Sequence, residues 1–192
     1  MRIGIDLDEI LAEWMNSFID FHNINYGTNL ERKDFYTFDL WKPLDIKRGE
    51  ERERINNFSK SDFYRNISPV EGSIEGIDNL QNNELFIVTG RKNKNKSATL
   101  DWIDKYFPNK FEDVLFSDYC SIKNNIDKKA EICSNLGIGF MIEDNGEWAH
   151  KCASSGIRTF LLDKEWNRGY SHPFLKRNYS WKEVVSNINE YS

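Results

Sequence analysis

Residues 2–12 read RIGIDLDEILA, and this stretch predicts the fold of the chain. Its apolar run, residues 3–7, is typical of a strand buried on both faces, and Asp6 and Asp8 stand where that strand ends. Further short apolar runs follow at 85–88, 114–116, 140–142 and 159–162. Helical patterns lie between and after them, at 73–80, 97–107, 128–136, 148–155 and 181–188. Strands that alternate with helices predict an α/β fold with a doubly wound, mainly parallel sheet.

The connection between the first two predicted strands is unusually long. It spans about 75 residues, whereas an ordinary link from a strand to a helix needs only a few. Residues 11–68 are therefore interpreted as an insertion, which begins with an aromatic-rich helix at 11–21 and contains a charged helix near 47–58. Ser68-Pro69 closes it. We expect a core made of residues 1–10 and 69–192, and a small helical cap made of residues 11–68.

Composition and charge exclude several classes of protein. The formal net charge is −5, and a chain this acidic lacks the basic face of a general nucleic-acid binder. Cys120, Cys133 and Cys152 have no metal-ligand spacing, so we expect reduced thiols in a cytoplasmic protein. The three histidines are too scattered for a zinc site. The first residues do not resemble a signal peptide, and no apolar run approaches membrane-spanning length, so we expect no membrane association.

Polar side chains stand at the predicted carboxyl ends of several strands. Ligands bind at that edge in open α/β sheets, so residues from distant parts of the chain are expected to meet there. They are Asp6, Asp8, Thr89, Lys129, Glu143 and Asp144. Taken singly, each has an ordinary explanation: a surface turn, a solvated lysine or a helix cap. Their shared edge is what indicates a catalytic site.

The types of these residues suit the transfer of a phosphoryl group. Of the two carboxylates Asp6 and Asp8, one can attack phosphorus while the other moves protons. The hydroxyl of Thr89 and the unobstructed backbone N–H of Gly90 can both donate to phosphate oxygens. Asp6 and Asp8, at the end of the first strand, therefore predict the reaction. Thr89 and Gly90, at the end of the second strand, predict where the phosphate binds.

Charge neutralisation is the further requirement of such a site. Lys129 stands in the first turn of a predicted helix, where a cation is unfavourable unless an anion is near, and Lys128 is the competing candidate. Glu143 and Asp144 supply oxygen ligands of the kind that hard cations prefer. Acids from two strand ends could therefore gather one Mg²⁺ together with water and the substrate phosphate.

These residues, in their order along the chain, resemble the four motifs of the haloacid dehalogenase superfamily of phosphohydrolases. The resemblance implies a Rossmann-like core, and residues 11–68 stand where that superfamily inserts a helical cap. Longer segments resemble the branch of the 5'(3')-deoxyribonucleotidases (5'-nucleotidase, deoxy, pyrimidine, cytosolic type C). They are DLDEILA at 6–12, DLW at 39–41, SPVEG at 68–72, IVTGR at 87–91, TLDW at 99–102 and IEDN at 142–145.

The resemblance implies a role for each motif residue. Asp6 would attack the phosphoryl group and form an aspartyl-phosphate, while Asp8 would protonate the leaving oxygen and then activate water. The residues implied to bind or stabilise the substrate phosphate are Thr89, Gly90, Arg91 and Lys129. The groups implied to hold Mg²⁺ are Asp6, the backbone carbonyl of Asp8, and Asp144, with Glu143 acting directly or through water.

Two positions depart from the family pattern. Glu9 stands where the superfamily often has glycine, which bears on the turn that enters the insertion. Glu143 stands where the branch often has aspartate, which leaves open whether this acid contacts the metal directly.

The resemblance also implies a substrate, a nucleoside monophosphate and in particular a deoxy one. Trp14, Phe63 and Tyr64 match positions where nucleotidases place aromatics that contact the base, although aromatic side chains at such spacing can equally belong to the core. A sugar phosphate, another small phosphoester or a polynucleotide 3'-phosphate end is an alternative substrate. A phosphate-binding protein without turnover is an alternative function, and the retained Asp8 argues against it. The sequence gives no oligomeric state and leaves a homodimer open.

Overall fold

The computed structural model describes residues 1–117 and 126–191, which form a sheet of six parallel strands flanked by helices. The strands are β1 (Arg2–Ile5), β2 (Glu84–Thr89), β3 (Asp113–Phe116), β4 (Phe140–Glu143), β5 (Arg158–Leu162) and β6 (Leu175–Asn178). Their order across the sheet is β3-β2-β1-β4-β5-β6. The chain builds outward from β1, returns to the centre with β4 and builds outward on the other side. The carboxyl ends of β1 and β4 therefore form the switch point where such sheets bind ligands.

Helices cover both faces of the sheet. Within the described residues they are α1 (Trp14–Tyr26), α2 (Glu51–Phe58), α3 (Asp62–Arg65), α4 (Ser73–Asn79), α5 (Lys96–Tyr106), α6 (Ile126–Asn135), α7 (Gly146–Ser154) and α8 (Trp181–Asn189). Side-chain caps fix the start of several of them, including α7 and α8. Asn145 Oδ1 accepts from the N–H groups of Glu147 and Trp148 at the start of α7, and Ser180 Oγ accepts from the Glu183 N–H at the start of α8.

The predicted doubly wound parallel sheet is confirmed, with one strand more than the sequence indicated. The additional strand, β6, has the sequence LKRN and lies at the edge of the sheet with β5 as its neighbour, so it needs no apolar run. β1 ends at Ile5, two residues earlier than predicted, although the Asp6 N–H still donates to the Ile142 carbonyl oxygen at 2.9 Å. The chain then turns, because two later N–H groups both donate to the Leu7 carbonyl oxygen.

Residues 11–68 contain α1, α2 and α3, packed around Phe58. The Phe58 ring lies edge-on to Trp14 and Phe18, with centroids at 5.3 and 5.5 Å. This aromatic cluster is continuous with the apolar core against the sheet. The segment begins and ends side by side, since the Glu13 N–H donates to the Ser68 carbonyl oxygen at 2.9 Å. Its first helix starts at Trp14 rather than at residue 11.

Two further observations concern the predictions about membranes and about the cysteines. In the part of the chain that the structure describes, no helix has the length and apolarity needed to cross a membrane. Cys133 and Cys152 are buried free thiols, and the third cysteine, Cys120, lies outside the described residues.

Candidate active site

Four of the predicted side chains meet at the switch point of the sheet. Asp6 follows β1, Glu143 and Asp144 stand at the end of β4, and Lys129 reaches the same place from α6. All four are between 0% and 6% exposed. Each of the three acids offers a carboxylate oxygen, and these oxygens lie within 4.8 Å of one another. Residues from opposite halves of the chain therefore form one compact cluster.

Lys129 is held between two of these carboxylates. Its Nζ donates to Asp6 Oδ1 at 2.8 Å and to Glu143 Oε2 at 2.6 Å, and it lies 4.1 Å from the centre of the Trp148 ring. Burial disfavours the ammonium ion, but the charges of Asp6 and Glu143 outweigh it and raise the pKa of Lys129. Lys128 is exposed. Of the two candidate lysines, the structure thus brings Lys129 into the cluster.

The acids of the cluster outnumber its cations even with Lys129 included, because three carboxyl groups face one ammonium. Burial, followed by the charge of Glu143, raises the pKa of Asp6 to about 7. Burial and the two neighbouring acids likewise raise the pKa of Asp144 well above its ordinary value. A divalent cation would supply the missing charge, and carboxylate oxygens are the ligands that Mg²⁺ prefers. The residues present therefore fit a magnesium ion.

Glu143 has both carboxylate oxygens engaged with the protein. Oε2 accepts from Lys129, and Oε1 accepts from the backbone N–H groups of Asp144 at 3.2 Å and Asn145 at 3.0 Å. Its side chain therefore orients the lysine and the turn that carries Asp144.

Asp8 is paired with Arg91. The guanidinium donates from Nε to both Asp8 oxygens at 3.1 Å and from Nη2 to Oδ1 at 2.6 Å. Its Nη1 donates to Thr99 Oγ1 at 3.3 Å, and the Tyr64 ring lies 4.8 Å from its centre. The family resemblance implies that Arg91 binds the substrate phosphate, and in the structure its guanidinium binds a candidate catalytic carboxylate.

Thr89 ends β2 with its side chain fully buried. Its Oγ1 accepts from the Arg91 backbone N–H at 3.1 Å. Because a hydroxyl both accepts and donates, this bond leaves the Thr89 proton for an acceptor such as a phosphate oxygen. Gly90 follows directly, at the same edge of the sheet.

Glu9 lies buried at the junction between the core and residues 11–68. Its φ is 64°, a left-handed conformation that favours glycine. Its carboxylate accepts from the Met15 N–H at 2.6 Å and from Arg32 Nη2 at 2.5 Å, with Lys164 Nζ at 3.5 Å. These contacts stabilise a turn that a non-glycine residue would otherwise strain.

The sequence analysis missed two residues that contact Asp144. Trp166 Nε1 donates to Asp144 Oδ2 at 2.9 Å, and Asn167 Nδ2 donates to the Asp144 backbone carbonyl oxygen at 2.7 Å. Both belong to the short 3-10 turn Glu165–Asn167 between β5 and β6. The turn follows the carboxyl end of β5 at Leu162, so its position at the same edge of the sheet is the signal that could have indicated it.

The three aromatic candidates for base contact occupy different environments. Trp14 is half-buried and stacks on Phe18 with centroids 4.8 Å apart. Phe63 is half-buried and lines a cleft of about 520 Å³, which Glu13, Asn16, Ser17, Asp20, Asp62, Asn66 and Ser68 also line. Tyr64 is 3% exposed between Phe58 and Arg91. Trp14 and Phe63 are thus partly exposed, whereas Tyr64 is almost wholly buried.

A doubly wound sheet with a buried Asp, Lys and acid-pair cluster at its switch point defines a class, the phosphohydrolases of the haloacid dehalogenase type. Solved structures agree on the fold. A haloacid dehalogenase-like hydrolase from Streptococcus pneumoniae superposes with a TM-score of 0.72 at 12% identity, covering 97% of both chains. A hydrolase of the same type from Bacillus subtilis, solved bound to magnesium, gives 0.68 at 15% identity over 98% of both chains.

The family is shown by the sequence. Residues 1–190 match the family described as 5' nucleotidase, deoxy (pyrimidine), cytosolic type C, and the chain belongs to it. The chain is 28% identical over 185 residues to a 5'(3')-deoxyribonucleotidase of Bacillus subtilis, covering 95% of both chains. It is 23% identical over 129 residues to a mitochondrial 5'(3')-deoxyribonucleotidase of Mus musculus, covering 61% of this chain and 58% of that one. The protein is therefore a phosphomonoester hydrolase of a nucleotidase family.

Proposed function

We propose that the protein is a magnesium-dependent phosphatase that hydrolyses a nucleoside monophosphate, in particular a deoxyribonucleotide, through an aspartyl-phosphate on Asp6. The observation that carries the proposal is the buried cluster in which Lys129 binds Asp6 and three carboxyl groups face this one ammonium. Relatives named 5'(3')-deoxyribonucleotidase support the substrate class.

The positions of the side chains support the reaction that the family resemblance implies. An ionised Asp6 oxygen attacks phosphorus in line with the leaving ester oxygen, and the P–O bond to that oxygen breaks. Asp8, two residues further on, gives the leaving oxygen a proton. Asp8 then takes a proton from the water that attacks the aspartyl-phosphate, which releases inorganic phosphate and restores Asp6.

In the proposed reaction, the negative charge on the phosphoryl group is stabilised by hydrogen-bond donors that the fold holds in place. Lys129 is buried and charged, so it can neutralise phosphate oxygens without rearrangement. The Thr89 hydroxyl and the Gly90 N–H can donate to the same oxygens. In this proposal Arg91 acts on Asp8 rather than on the phosphate, in keeping with its observed hydrogen bonds.

Asp6, Asp144 and the backbone carbonyl of Asp8 are the groups that we propose hold Mg²⁺. When bound, the ion neutralises charge on the phosphate and the attacking carboxylate. Glu143 is engaged with Lys129 and two backbone N–H groups, so we propose that it reaches the ion only through water.

We propose that residues 11–68 form the specificity cap over a core made of residues 1–10 and 69–192. Contacts from this segment to the catalytic edge support that assignment, namely Tyr64 on Arg91 and Arg32 on Glu9. Trp14 and Phe63 are partly exposed, so they are the better candidates for contact with the base. Tyr64 would act on the substrate indirectly, through Arg91.

The test is turnover of a substrate panel by the purified protein, with and without Mg²⁺. We expect deoxynucleoside monophosphates to give a higher kcat/KM than ribonucleotides or sugar phosphates, and EDTA to abolish turnover. Faster turnover of a sugar phosphate than of any nucleotide would contradict the substrate assignment. Full activity in EDTA would contradict the metal dependence. Absence of nucleic-acid and membrane binding, together with a cytoplasmic location, belongs to the same proposal.

A further inference from the structure

We propose that Trp166 is a positioning residue for Asp144, and that its ring transmits the position of residues 11–68 to the acidic cluster. The inference rests on the proposed function, since it assumes that Asp144 binds the metal ion.

The backbone around Trp166 is fixed independently of its indole. Asn167 Nδ2 donates to the carbonyl oxygens of Asp144 at 2.7 Å and Leu162 at 2.8 Å. Arg177 donates in turn to Asn167, from Nη1 to Oδ1 at 2.7 Å and from Nη2 to the carbonyl oxygen at 2.9 Å. The turn is therefore pinned against Asp144 by main-chain and amide contacts, and the indole is presented from a rigid base.

The indole N–H acts on the carboxylate itself. Trp166 Nε1 is a donor only, and it lies 2.9 Å from Asp144 Oδ2. Asp144 is 2% exposed, so water cannot readily replace a lost hydrogen bond there. The bond satisfies one oxygen and restricts rotation of the carboxylate, which limits the directions from which Asp144 can contact a metal ion. Donors of this kind around metal ligands set affinity as well as geometry.

The ring of Trp166 is contacted by two side chains of the 11–68 segment. The Arg32 guanidinium lies 5.4 Å from the ring centre, and Arg32 also binds Glu9 at the junction. The Phe38 ring stands edge-on to Trp166 at 6.0 Å. A shift of the segment would move the indole, and with it the Asp144 oxygen that the indole holds. Because linkage is reciprocal, metal binding would then also favour the docked position of the segment.

The first experiment measures Mg²⁺ binding by isothermal titration calorimetry in the full-length protein without substrate. Trp166→Phe keeps an aromatic ring and removes the N–H donor, so we expect Mg²⁺ affinity to fall about tenfold, the lower end of what second-layer contacts contribute. The matched control is Trp181→Phe, which removes a comparable buried Trp N–H bond, to the Ile10 carbonyl oxygen at 2.8 Å, outside the 11–68 segment. This bond goes to the backbone and not to an acid of the cluster, so the Mg²⁺ affinity of the control variant should match the wild type.

The second experiment addresses the link to the 11–68 segment. Phe38 is 54% exposed, so Phe38→Ala should fold normally. It leaves the indole N–H in place, and we expect it to weaken Mg²⁺ binding about threefold in the wild-type background and not at all in Trp166→Phe. An equal effect of Phe38→Ala in both backgrounds would overturn the transmitted role.

The outcomes separate this inference from the proposed function. Wild-type Mg²⁺ affinity in Trp166→Phe overturns the positioning role even if the protein hydrolyses nucleotides normally. Unchanged Mg²⁺ affinity combined with a raised KM in that variant would show that Trp166 contacts substrate instead. A weakened affinity supports the inference even if no nucleotide proves to be a substrate. A wild type that binds no Mg²⁺ overturns both.

Discussion

Replacement of Lys129 by methionine tests the electrostatic design of the cluster. The variant keeps the length of the side chain and removes the charge that bonds to Asp6 and Glu143. Three carboxylates, each within 4.8 Å of the others and buried, would then face one another without a cation. The partners cannot escape into water, so the loss is larger than for a surface ion pair.

The magnitude follows from that burial. Removing one partner of a buried ion pair costs about 3–5 kcal/mol. For a chain of this size, about 2–4 °C of melting temperature corresponds to each kcal/mol, so the metal-free variant should melt about 6–20 °C lower. Added Mg²⁺ should narrow the gap, because it supplies positive charge to the same oxygens. The turnover rate should fall at least about 100-fold, as for loss of a group that stabilises transition-state charge.

The assay is differential scanning calorimetry with EDTA and with Mg²⁺, together with initial rates on a nucleotide substrate. The control is Lys128→Met, which changes an exposed neighbour and should leave both quantities near wild type. Equal melting temperatures for the wild type and Lys129→Met would refute the electrostatic argument. Loss of activity in Lys128→Met, with none in Lys129→Met, would show that the other lysine serves the site.

Four further predictions concern Asp6 and Trp14. Asp6→Asn should remove turnover, measured as phosphate release, while circular dichroism stays unchanged; wild-type rates would exclude Asp6 as the nucleophile. The folded-state pKa of Asp6, about 7, lies above its unfolded value, so the stabilisation from its protonated form is present below about pH 4 and lost as pH rises through 7. Metal-free Asp6→Asn should therefore melt above the wild type at pH 8, and a lower melting point there would contradict the raised pKa. Mg²⁺ affinity measured by calorimetry should fall as pH drops below 7, because protons compete for that carboxylate, and a flat profile would argue against Asp6 as a ligand. Trp14→Ala should lower kcat/KM for nucleotides by a factor that corresponds to the loss of one stacked base, up to roughly 1–3 kcal/mol of binding free energy. It should leave p-nitrophenyl phosphate turnover nearly unchanged.

The sequence predicted those parts of the site that lie at strand ends. A parallel sheet brings the carboxyl ends of its strands to one edge, so the positions of Asp6, Thr89 and Asp144 after apolar runs implied their proximity. The same apolar runs, with the helices between them, predicted the fold. The sequence did not predict β6, because an edge strand needs no apolar pattern.

Other contacts could not be predicted, because they join side chains far apart in sequence without periodic signals. Arg91 binds Asp8, which is 83 positions away in the sequence, and Trp166 binds Asp144, which is 22 positions away. Both depend on side-chain direction at the edge of the folded sheet. The network around Glu9 is of the same kind, since its carboxylate is satisfied by residues from three separate segments.

Glu9 also limits how freely the two parts of the chain can be exchanged. Its carboxylate takes one cation from the 11–68 segment, Arg32, and has one from the core, Lys164, nearby. A chimera that replaces residues 11–68 with a foreign segment would leave Glu9 buried, in a backbone conformation that suits glycine and with one cation lost. Exchange of this segment should therefore succeed only when the incoming segment also places a cation beside Glu9, as Arg32 does here, or when Glu9 is first replaced by glycine.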